Sequence, residues 1–179
     1  MRIRPYIENK DYKYLENWID NEKIHALWCA NLISYPITKD KLHAFLEKNA
    51  IDWTDSAYVA TEDDGTVIGF FCYSINVNDN SGFLKFVIVD NSIRGKVYGK
   101  KMLQLALQYA FQITGVELVQ LNVFEENIAA KQCYRKLGFI EKNISKDVFS
   151  YKDKLWSRCH MIIQNPRFSK EIISWNYCN

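Results

Sequence analysis

The segment 82–124 constrains the fold of this chain more than any other part of its 179 residues. It contains an apolar, largely β-branched run at 86–89, which is typical of a strand buried on both faces. A strongly periodic helix is predicted over 98–114, and a second strand over 117–124. A strand, a helix and a strand of these lengths predict a right-handed crossover, which makes the two strands a parallel pair.

The predicted helix has one continuous apolar face. Gly115 is expected to end it in the left-handed conformation that glycine adopts without strain. The helix is therefore expected to pack against the sheet. The side chains of the apolar face recur at spacings of four, three and four residues: Met102, Ala106, Tyr109 and Ile113.

The turn that leads into this helix is cationic and contains glycine. The first N–H groups of a helix have no backbone acceptor, and the helix dipole favours an anion beside them. Lysines in a first turn oppose that dipole, so Lys96, Lys100 and Lys101 are easier to understand if they share an anion. A solvated helix start with chance lysines is the alternative. The residues predicted to hold a phosphate are Arg94, Gly95, Lys96, Val97, Tyr98, Gly99 and Lys100.

A shorter helix is predicted directly after the second strand. Asn127 is a favourable N-cap, and Gly138 is expected to supply the left-handed cap at the other end. Phe139 then lies where such a cap places an apolar contact, reaching back toward Tyr134 or Cys133. Tyr134 is therefore predicted near the C-terminal end of a helix that begins beside the C-terminal ends of the two parallel strands.

Together these two units resemble the GNAT acyltransferase superfamily over 82–139, about a third of the chain. The resemblance implies an α/β (α+β) fold, with a mixed, mostly antiparallel central sheet of about six or seven strands flanked by helices. One parallel strand pair would be joined by the crossover helix. The opening strand at 3–6, followed by Asp11 and the run 15–21, also resembles the ribosomal-protein N-acetyltransferase branch. The positions that carry the main resemblance are Arg94 and Gly99 in the turn, and Asn127, Ala130, Tyr134, Gly138 and Phe139 in the second unit.

The resemblance implies acetyl-CoA as co-substrate and no metal. Backbone N–H groups of the turn 94–100 would bind the pyrophosphate of coenzyme A. Backbone groups of Val87, Ile88 and Val89 would hold the pantetheine arm and the thioester carbonyl, although plain sheet core accounts equally for these residues. Asn127 would cap its helix and also reach the cofactor.

The resemblance also implies that Tyr134 is the catalytic residue. As a general acid it would protonate, or hydrogen-bond to, the departing thiolate, since a phenol with a pKa of about 10 stays protonated at neutral pH. A tyrosine buried for packing is the alternative. No general base is assigned, because Asn122 stands where relatives often carry glutamate and an amide cannot take a proton. Glu125 and Glu126 lie nearby and could act through a water.

Val97 departs from the family's usual turn, in which its place is held by glycine. Valine keeps its backbone N–H, and it costs little if φ is negative there. A positive φ would strain a β-branched residue by about 1–3 kcal/mol. The sequence leaves open whether Val97 weakens the binding of coenzyme A.

The predicted activity is that of an acetyl-CoA-dependent N-acetyltransferase. A primary amine of a protein N-terminus or of a small molecule would attack the thioester directly. The alternatives are a module that binds coenzyme A with little or no catalysis, and an enzyme that acts on an antibiotic or a polyamine. A nucleotide-binding domain of another fold is disfavoured, because neither G-x-x-x-x-G-K-[ST] nor G-x-G-x-x-G occurs. On the acceptor side, Trp28, Tyr35 and Trp53 are candidates for lining the cleft.

Length and composition limit the number of domains, the partners and the location that this chain can have. A length of 179 residues suits one domain, 1–179, and a net charge of +2 implies no nucleic-acid partner. Five cysteines without a C-x-x-C pair argue against a disulfide framework and favour a cytoplasmic location. No metal-ligand spacing and no membrane-spanning run occur. A monomer or homodimer is expected.

The remaining elements are predicted more coarsely. Three antiparallel strands precede the crossover, and a hairpin turn at 63–65 links two of them. Extended segments over 140–145, 148–151 and 155–163 follow the second unit, and the tail 166–179 is predicted as a short helix.

Overall fold

Seven strands form one sheet in the computed structural model, which describes residues 1–168. Their spatial order is β1-β2-β3-β4-β5-β7-β6, and only β4 and β5 pair in parallel. This mixed, mostly antiparallel sheet confirms the predicted fold class. The strands are β1 (Arg2–Pro5), β2 (Ser56–Thr61), β3 (Val67–Asn76), β4 (Ser81–Val89), β5 (Leu118–Phe124), β6 (Ile140–Tyr151) and β7 (Lys154–Gln164).

Three helices connect β1 to β2: α1 (Glu8–Trp18), α2 (Glu22–Cys29) and α3 (Lys39–Trp53). Asn21 and Thr38 cap α2 and α3, each accepting a bond from the backbone N–H three residues on. The crossover helix α4 (Tyr98–Gln108) joins β4 to β5, and α5 (Ile128–Leu137) follows β5.

The helices cover the two faces of the sheet separately. On one face, α4 and α5 pack over a core that includes Met102, Ala106 and Leu121. On the other face, the first three helices pack over a second core that includes Leu15 and Leu42. Successive residues of β3 and β4 alternate between the two cores.

The end of α4 differs from the prediction. The helix continues as a π-helical turn, Tyr109–Thr114, before Gly115 ends it with a φ of 71°. A π turn closes hydrogen bonds one residue further along the chain, so later side chains rotate off the face set by α-helical spacing. The predicted face is correct for Met102 and Ala106, which are buried, and wrong for Ile113, which is 73 % exposed.

The structure also differs from the predictions for the run 86–89 and for the segments after residue 139. The run 86–89 was expected to be buried on both faces, yet only Ile88 is buried. The segments 140–145 and 148–151 are one bulged strand, β6, and not two. In the tail predicted as a helix, 166–168 form a turn, while 169–179 lie outside the described residues.

No helix within residues 1–168 is both long enough and apolar enough to cross a membrane.

Candidate active site

The parallel strands β4 and β5 separate beyond Leu84. Backbone pairing joins them over four residues of β4, from Ser81 to Leu84, and stops there, although β4 stays paired with β3 on its other edge. The edge of β4 that faces β5 therefore has no strand partner over Val87, Ile88 and Val89. The absence of β5 beside them also explains why this run is only partly buried. The result is a wedge-shaped gap whose walls carry backbone donors and acceptors.

A bulge at Phe86 opens the gap further. Phe86 has a φ of 51°, which is uncommon for a residue with a side chain and costs about 1–3 kcal/mol. The indole N–H of Trp28 donates to the Phe86 carbonyl at 2.7 Å, and the rings of Trp28 and Phe45 both contact Phe86 edge-on. These contacts hold the bulge in its strained conformation. Strain of this kind is found mainly at functional sites.

At one side of the gap, the turn 94–100 presents free N–H groups. Gly95 has a φ of 77°, so the glycine is required there by the backbone. The first hydrogen bond at the start of α4 runs from the Lys101 N–H to the Val97 carbonyl at 3.0 Å. Four N–H groups at this helix start consequently have no backbone acceptor among the described residues: those of Val97, Tyr98, Gly99 and Lys100.

The side chains of the turn divide into two groups. Lys96 and Lys100 are exposed and have no acidic partner in residues 1–168, so they add positive charge to the helix start. The Arg94 guanidinium instead donates to the carbonyls of Val89 and Trp18, both at 3.4 Å. Arg94 thus braces the turn against β4 and α1.

Val97 is accommodated without backbone strain. Its φ is −69° and its ψ is −13°, which lie in the right-handed helical region open to every residue. Its side chain is 60 % exposed. The departure from glycine at this position therefore leaves the backbone conformation and the N–H of the turn intact.

Tyr134 lies on α5, the helix that follows β5. It shares a core cluster with Leu84 and Leu121, the last paired residues of β4 and β5. Its ring contacts Phe139 edge-on at 5.7 Å, and Gly138 ends the helix with a φ of 100°. The predicted caps are therefore confirmed, as is the contact that fixes this tyrosine. At the start of the helix, the side chain of Asn127 accepts a bond from the Ala130 N–H at 3.3 Å.

The hydroxyl of Tyr134 makes no hydrogen bond with any residue in 1–168, and the residue is 6 % exposed. Burial raises the pKa of the phenol above its ordinary value. The group therefore stays protonated at neutral pH and has a proton to donate. Burial also raises the pKa of the neighbouring Cys133 thiol, which disfavours a thiolate nucleophile there.

A cavity of about 310 Å³ opens on the opposite face of the gap, between α2, α3 and the separated strands. Trp28 and Trp53 line it, as predicted. Tyr35 instead lines a second cavity of about 420 Å³ next to Tyr151, and its place on the acceptor side stays a prediction. The other side chains that shape the first cavity include Phe83, Lys85, Phe86, Asn122, Phe124 and Arg158.

Asn122 is the first β5 residue beyond the paired region, and His160 of β7 lies directly opposite it. The Nε2 atom of His160 lies 2.9 Å from the side-chain oxygen of Gln120, whose amide nitrogen donates to the Ser81 hydroxyl. That hydroxyl in turn donates to Asp79 at 2.6 Å. The directions of these bonds put the ring proton on Nε2 and leave Nδ1 as an acceptor. Burial, aided by nearby positive charges, lowers the pKa of His160, so the ring is neutral at pH 7.

The two glutamates at the end of β5 differ in their surroundings. Glu125 accepts a bond at 2.5 Å from Lys131, whose side chain is almost fully buried, and Lys131 also contacts Glu141 at 3.3 Å. Glu126 is exposed. Glu125, Glu141 and Cys159 lie close enough to suggest a metal site, but Lys131 and Arg135 together already neutralise the two glutamates. The Cys159 thiol, with its pKa raised to about 11 by burial, remains protonated.

Sequence reasoning missed the bulge at Phe86 and the polar residues Lys85, Arg158 and His160. A lysine inside the apolar run of β4 was the one signal available for Lys85. The positions of Arg158 and His160 depend on β7 pairing beside β5, and this register is set by contacts distant in sequence.

Comparisons with known proteins agree with this geometry. The family model described as "Acetyltransferase (GNAT) family" matches residues 12–139. The spermine/spermidine N(1)-acetyltransferase of Bacillus subtilis is 26 % identical over 127 residues, which cover 58 % of this chain and 84 % of that protein. The spermidine N(1)-acetyltransferase of Vibrio cholerae is 24 % identical over 137 residues, 76 % of this chain and 77 % of that protein.

Solved structures extend the likeness over nearly the whole chain. The spermidine N-acetyltransferase of Vibrio cholerae in complex with CoA and spermine has a TM-score of 0.78 and 22 % identity, covering 92 % of this chain and 95 % of that one. A dodecameric structure of the same kind of enzyme from Vibrio cholerae has a TM-score of 0.73 and 20 % identity, covering 94 % and 96 %. At these identities the likeness establishes the fold. The weaker likeness of the N-terminal segment to the ribosomal-protein branch stays a prediction.

Proposed function

The chain belongs to the acetyltransferase (GNAT) family, and we propose that it transfers an acetyl group from acetyl-CoA to the primary amine of a small molecule. The observation that supports the proposal is the gap that opens beyond Leu84, with free helix N–H groups on one side and Tyr134 in the same core cluster as the last paired residues of β4 and β5. An extended acyl thioester requires such a gap, and its phosphates require such a helix start.

Acetyl-CoA would bind with its pyrophosphate on the N–H groups of the turn 94–100, beside Lys96 and Lys100. Gly95 gives the turn its shape, and Arg94 braces it through the two carbonyl contacts. The pantetheine arm would extend along the free edge of β4 over 87–89 and accept and donate backbone hydrogen bonds there. Asn127, at the start of α5, would contact the arm from the β5 side.

Tyr134 would act as the general acid. Its raised pKa keeps the phenol protonated, and its hydroxyl has no hydrogen-bond partner among the described residues. It is thus available to donate to the sulfur as the thioester bond breaks. Direct attack forms the new C–N bond and breaks the C–S bond, the thiolate receives the phenol's proton, and the amine loses one proton.

The amine must be neutral when it attacks. His160 is on the same sheet face as Asn122 but outside the cavity lining, and it is suited to take this proton through a water, because its ring is neutral and Nδ1 is free to accept. Glu125 is less suited, since Lys131 already holds it as an ion pair.

A polyamine acceptor is the second candidate. It is favoured by the curated relatives, whose names give spermine and spermidine as substrates. A module that binds coenzyme A without catalysis is less well supported, because the acid-suited Tyr134 and the cavity on the acceptor side are both present.

We further propose one domain spanning 1–179, a cytoplasmic location and no resident metal. The cytoplasm fits a chain whose Cys29, Cys72, Cys133 and Cys159 are all free thiols. The oligomeric state remains predicted as a monomer or homodimer.

Thiol release from acetyl-CoA tests the proposal. The protein is incubated with acetyl-CoA and, separately, with benzylamine, spermidine and a short peptide with a free N-terminus, and the products are identified by mass. Amine-dependent thiol release with an acetylated small amine is expected. Binding of acetyl-CoA without turnover of any amine would leave only the non-catalytic module.

A further inference from the structure

The cavity on the acceptor face carries positive charge and no carboxylate. Among the described residues that line it, Lys85 and Arg158 are charged, and none is an aspartate or glutamate. A cationic acceptor with several ammonium groups would therefore bring like charges together in this cavity. This chemistry is opposite to what a polyamine needs.

The two cations differ in their partners. Lys85 donates to Asp55 at 2.7 Å, and the side chain of Asp55 is 2 % exposed, so this charge is neutralised within the protein. Arg158 is exposed and makes no ion pair or hydrogen bond within residues 1–168. The guanidinium of Arg158 is therefore the uncompensated charge at the cavity, and its forked donors suit a carboxylate or phosphate.

The strand register relates Arg158 to the reacting end of the cavity. Asn122, the first unpaired residue of β5, pairs with His160, and Phe124 pairs with Arg158. Phe124 is two residues beyond Asn122 on β5, a distance of about 7 Å. Arg158, which is opposite Phe124, therefore lies about 7 Å further than Asn122 from the paired part of β4 and β5. Both side chains extend from the same sheet face, because residues two apart on a strand share a face.

Aromatic side chains form much of the wall of the cavity. Trp28, Trp53, Phe83, Phe86 and Phe124 line the cavity. Flat apolar walls of this kind favour a ligand with an apolar, preferably aromatic, body over a flexible polar one.

From these observations we infer that the acceptor is a primary amine carrying an apolar body and, at its far end, an anionic group that binds Arg158. The inference rests on the proposed acetyl transfer and names the substrate class for it. It separates this chain from its curated relatives, whose named substrates are polycations.

Three acceptors that share one benzylamine body test the inference: 4-(aminomethyl)benzoate, benzylamine and 1,4-bis(aminomethyl)benzene. They carry at the far end a carboxylate, no charge and an ammonium, respectively. We expect kcat/KM to fall in that order, with about tenfold between the first and the last, mainly through KM. A tenfold difference corresponds to about 1.4 kcal/mol.

Variants of Arg158 separate a specific contact from general charge. At pH 8.5, where His160 is neutral with or without the Arg158 charge near it, Arg158→Gln should lower kcat/KM for the carboxylate about tenfold and leave benzylamine within twofold, and Arg158→Glu should reverse the order of the two charged acceptors. Lys154→Gln is the matched control, since it removes an exposed charge from the same strand at a residue that does not line the cavity. Lys154→Gln should change kcat/KM neither for the carboxylate nor for benzylamine.

The outcomes distinguish the two proposals. Turnover of benzylamine with no preference for the carboxylate, or equal losses for both acceptors in Arg158→Gln, would overturn this inference and leave the acetyltransferase activity standing. Preference for the diamine or for spermidine would do the same and favour the polyamine candidate. No turnover of any amine would overturn both.

Discussion

Replacing Tyr134 by phenylalanine should reduce turnover while changing the stability of the protein little. The substitution removes one oxygen from a side chain that is 6 % exposed and whose hydroxyl has no hydrogen-bond partner in residues 1–168. The hydroxyl itself is not fully buried, so it can bond to water, and its loss should change the free energy of unfolding by less than about 1 kcal/mol.

The kcat of Tyr134→Phe, in contrast, should fall. A general acid typically contributes about 10²–10⁴-fold. A thiolate is a comparatively good leaving group, so we expect a loss at or below the lower end of this range, about 10- to 100-fold in kcat. That loss is about 1.4–2.7 kcal/mol of transition-state stabilisation.

Thiol release gives kcat, calorimetry gives the affinity for acetyl-CoA, and urea unfolding gives stability. The affinity should change less than threefold. Tyr58→Phe is the matched control: it breaks the bond to the Tyr109 hydroxyl at 3.2 Å, away from the gap, and should cost about 1 kcal/mol of stability without changing kcat. Unchanged turnover in Tyr134→Phe would remove this tyrosine from the mechanism. A parallel loss of stability and turnover would assign it a structural role.

Three other changes test separate parts of the account. Val97→Gly should leave the affinity for acetyl-CoA unchanged or tighten it, because the valine has an unstrained φ and its N–H is kept; a large loss in calorimetry would mean that the turn binds differently. His160→Gln should lower kcat/KM about tenfold at pH 7 with the affinity for acetyl-CoA unaltered, and an unchanged rate would exclude His160 as the proton acceptor. Stability should be lost at alkaline pH, because burial raises the pKa of Tyr58 to about 12 and also raises that of Tyr134. Each of these tyrosines contributes fully to the free energy of unfolding below a pH of about 10, the pKa of an unfolded tyrosine, and this contribution is lost as the pH rises through the folded pKa. Urea unfolding should therefore have a lower midpoint at pH 10.5 than at pH 8.

Much of the fold could be predicted from local pattern. Glycines and caps marked the ends of α4 and α5 correctly, since Gly115, Asn127 and Gly138 act through bonds within a few residues. The parallel pair followed from the strand, helix and strand at 82–124. The π turn was not predictable, because it depends on the packing of the helix end and shifts Ile113 to the surface.

The candidate site was predicted unevenly for a similar reason. The turn 94–100 and Tyr134 lie within continuous motifs, so their positions could be read locally. The acceptor cavity is assembled from α2, α3, β4, β5 and β7, and no local pattern brings Trp53 and Arg158 together. The bulge at Phe86 also escaped prediction, because it is stabilised by Trp28, 58 residues earlier in the chain.

A crystal structure with coenzyme A is the most direct test of the central claim. The account predicts the pyrophosphate on the N–H groups at 97–100, the pantetheine arm along β4 at 87–89, and the sulfur within hydrogen-bond reach of the Tyr134 hydroxyl. Coenzyme A bound at another surface, or β4 and β5 paired through 87–89 with the gap closed, would contradict it.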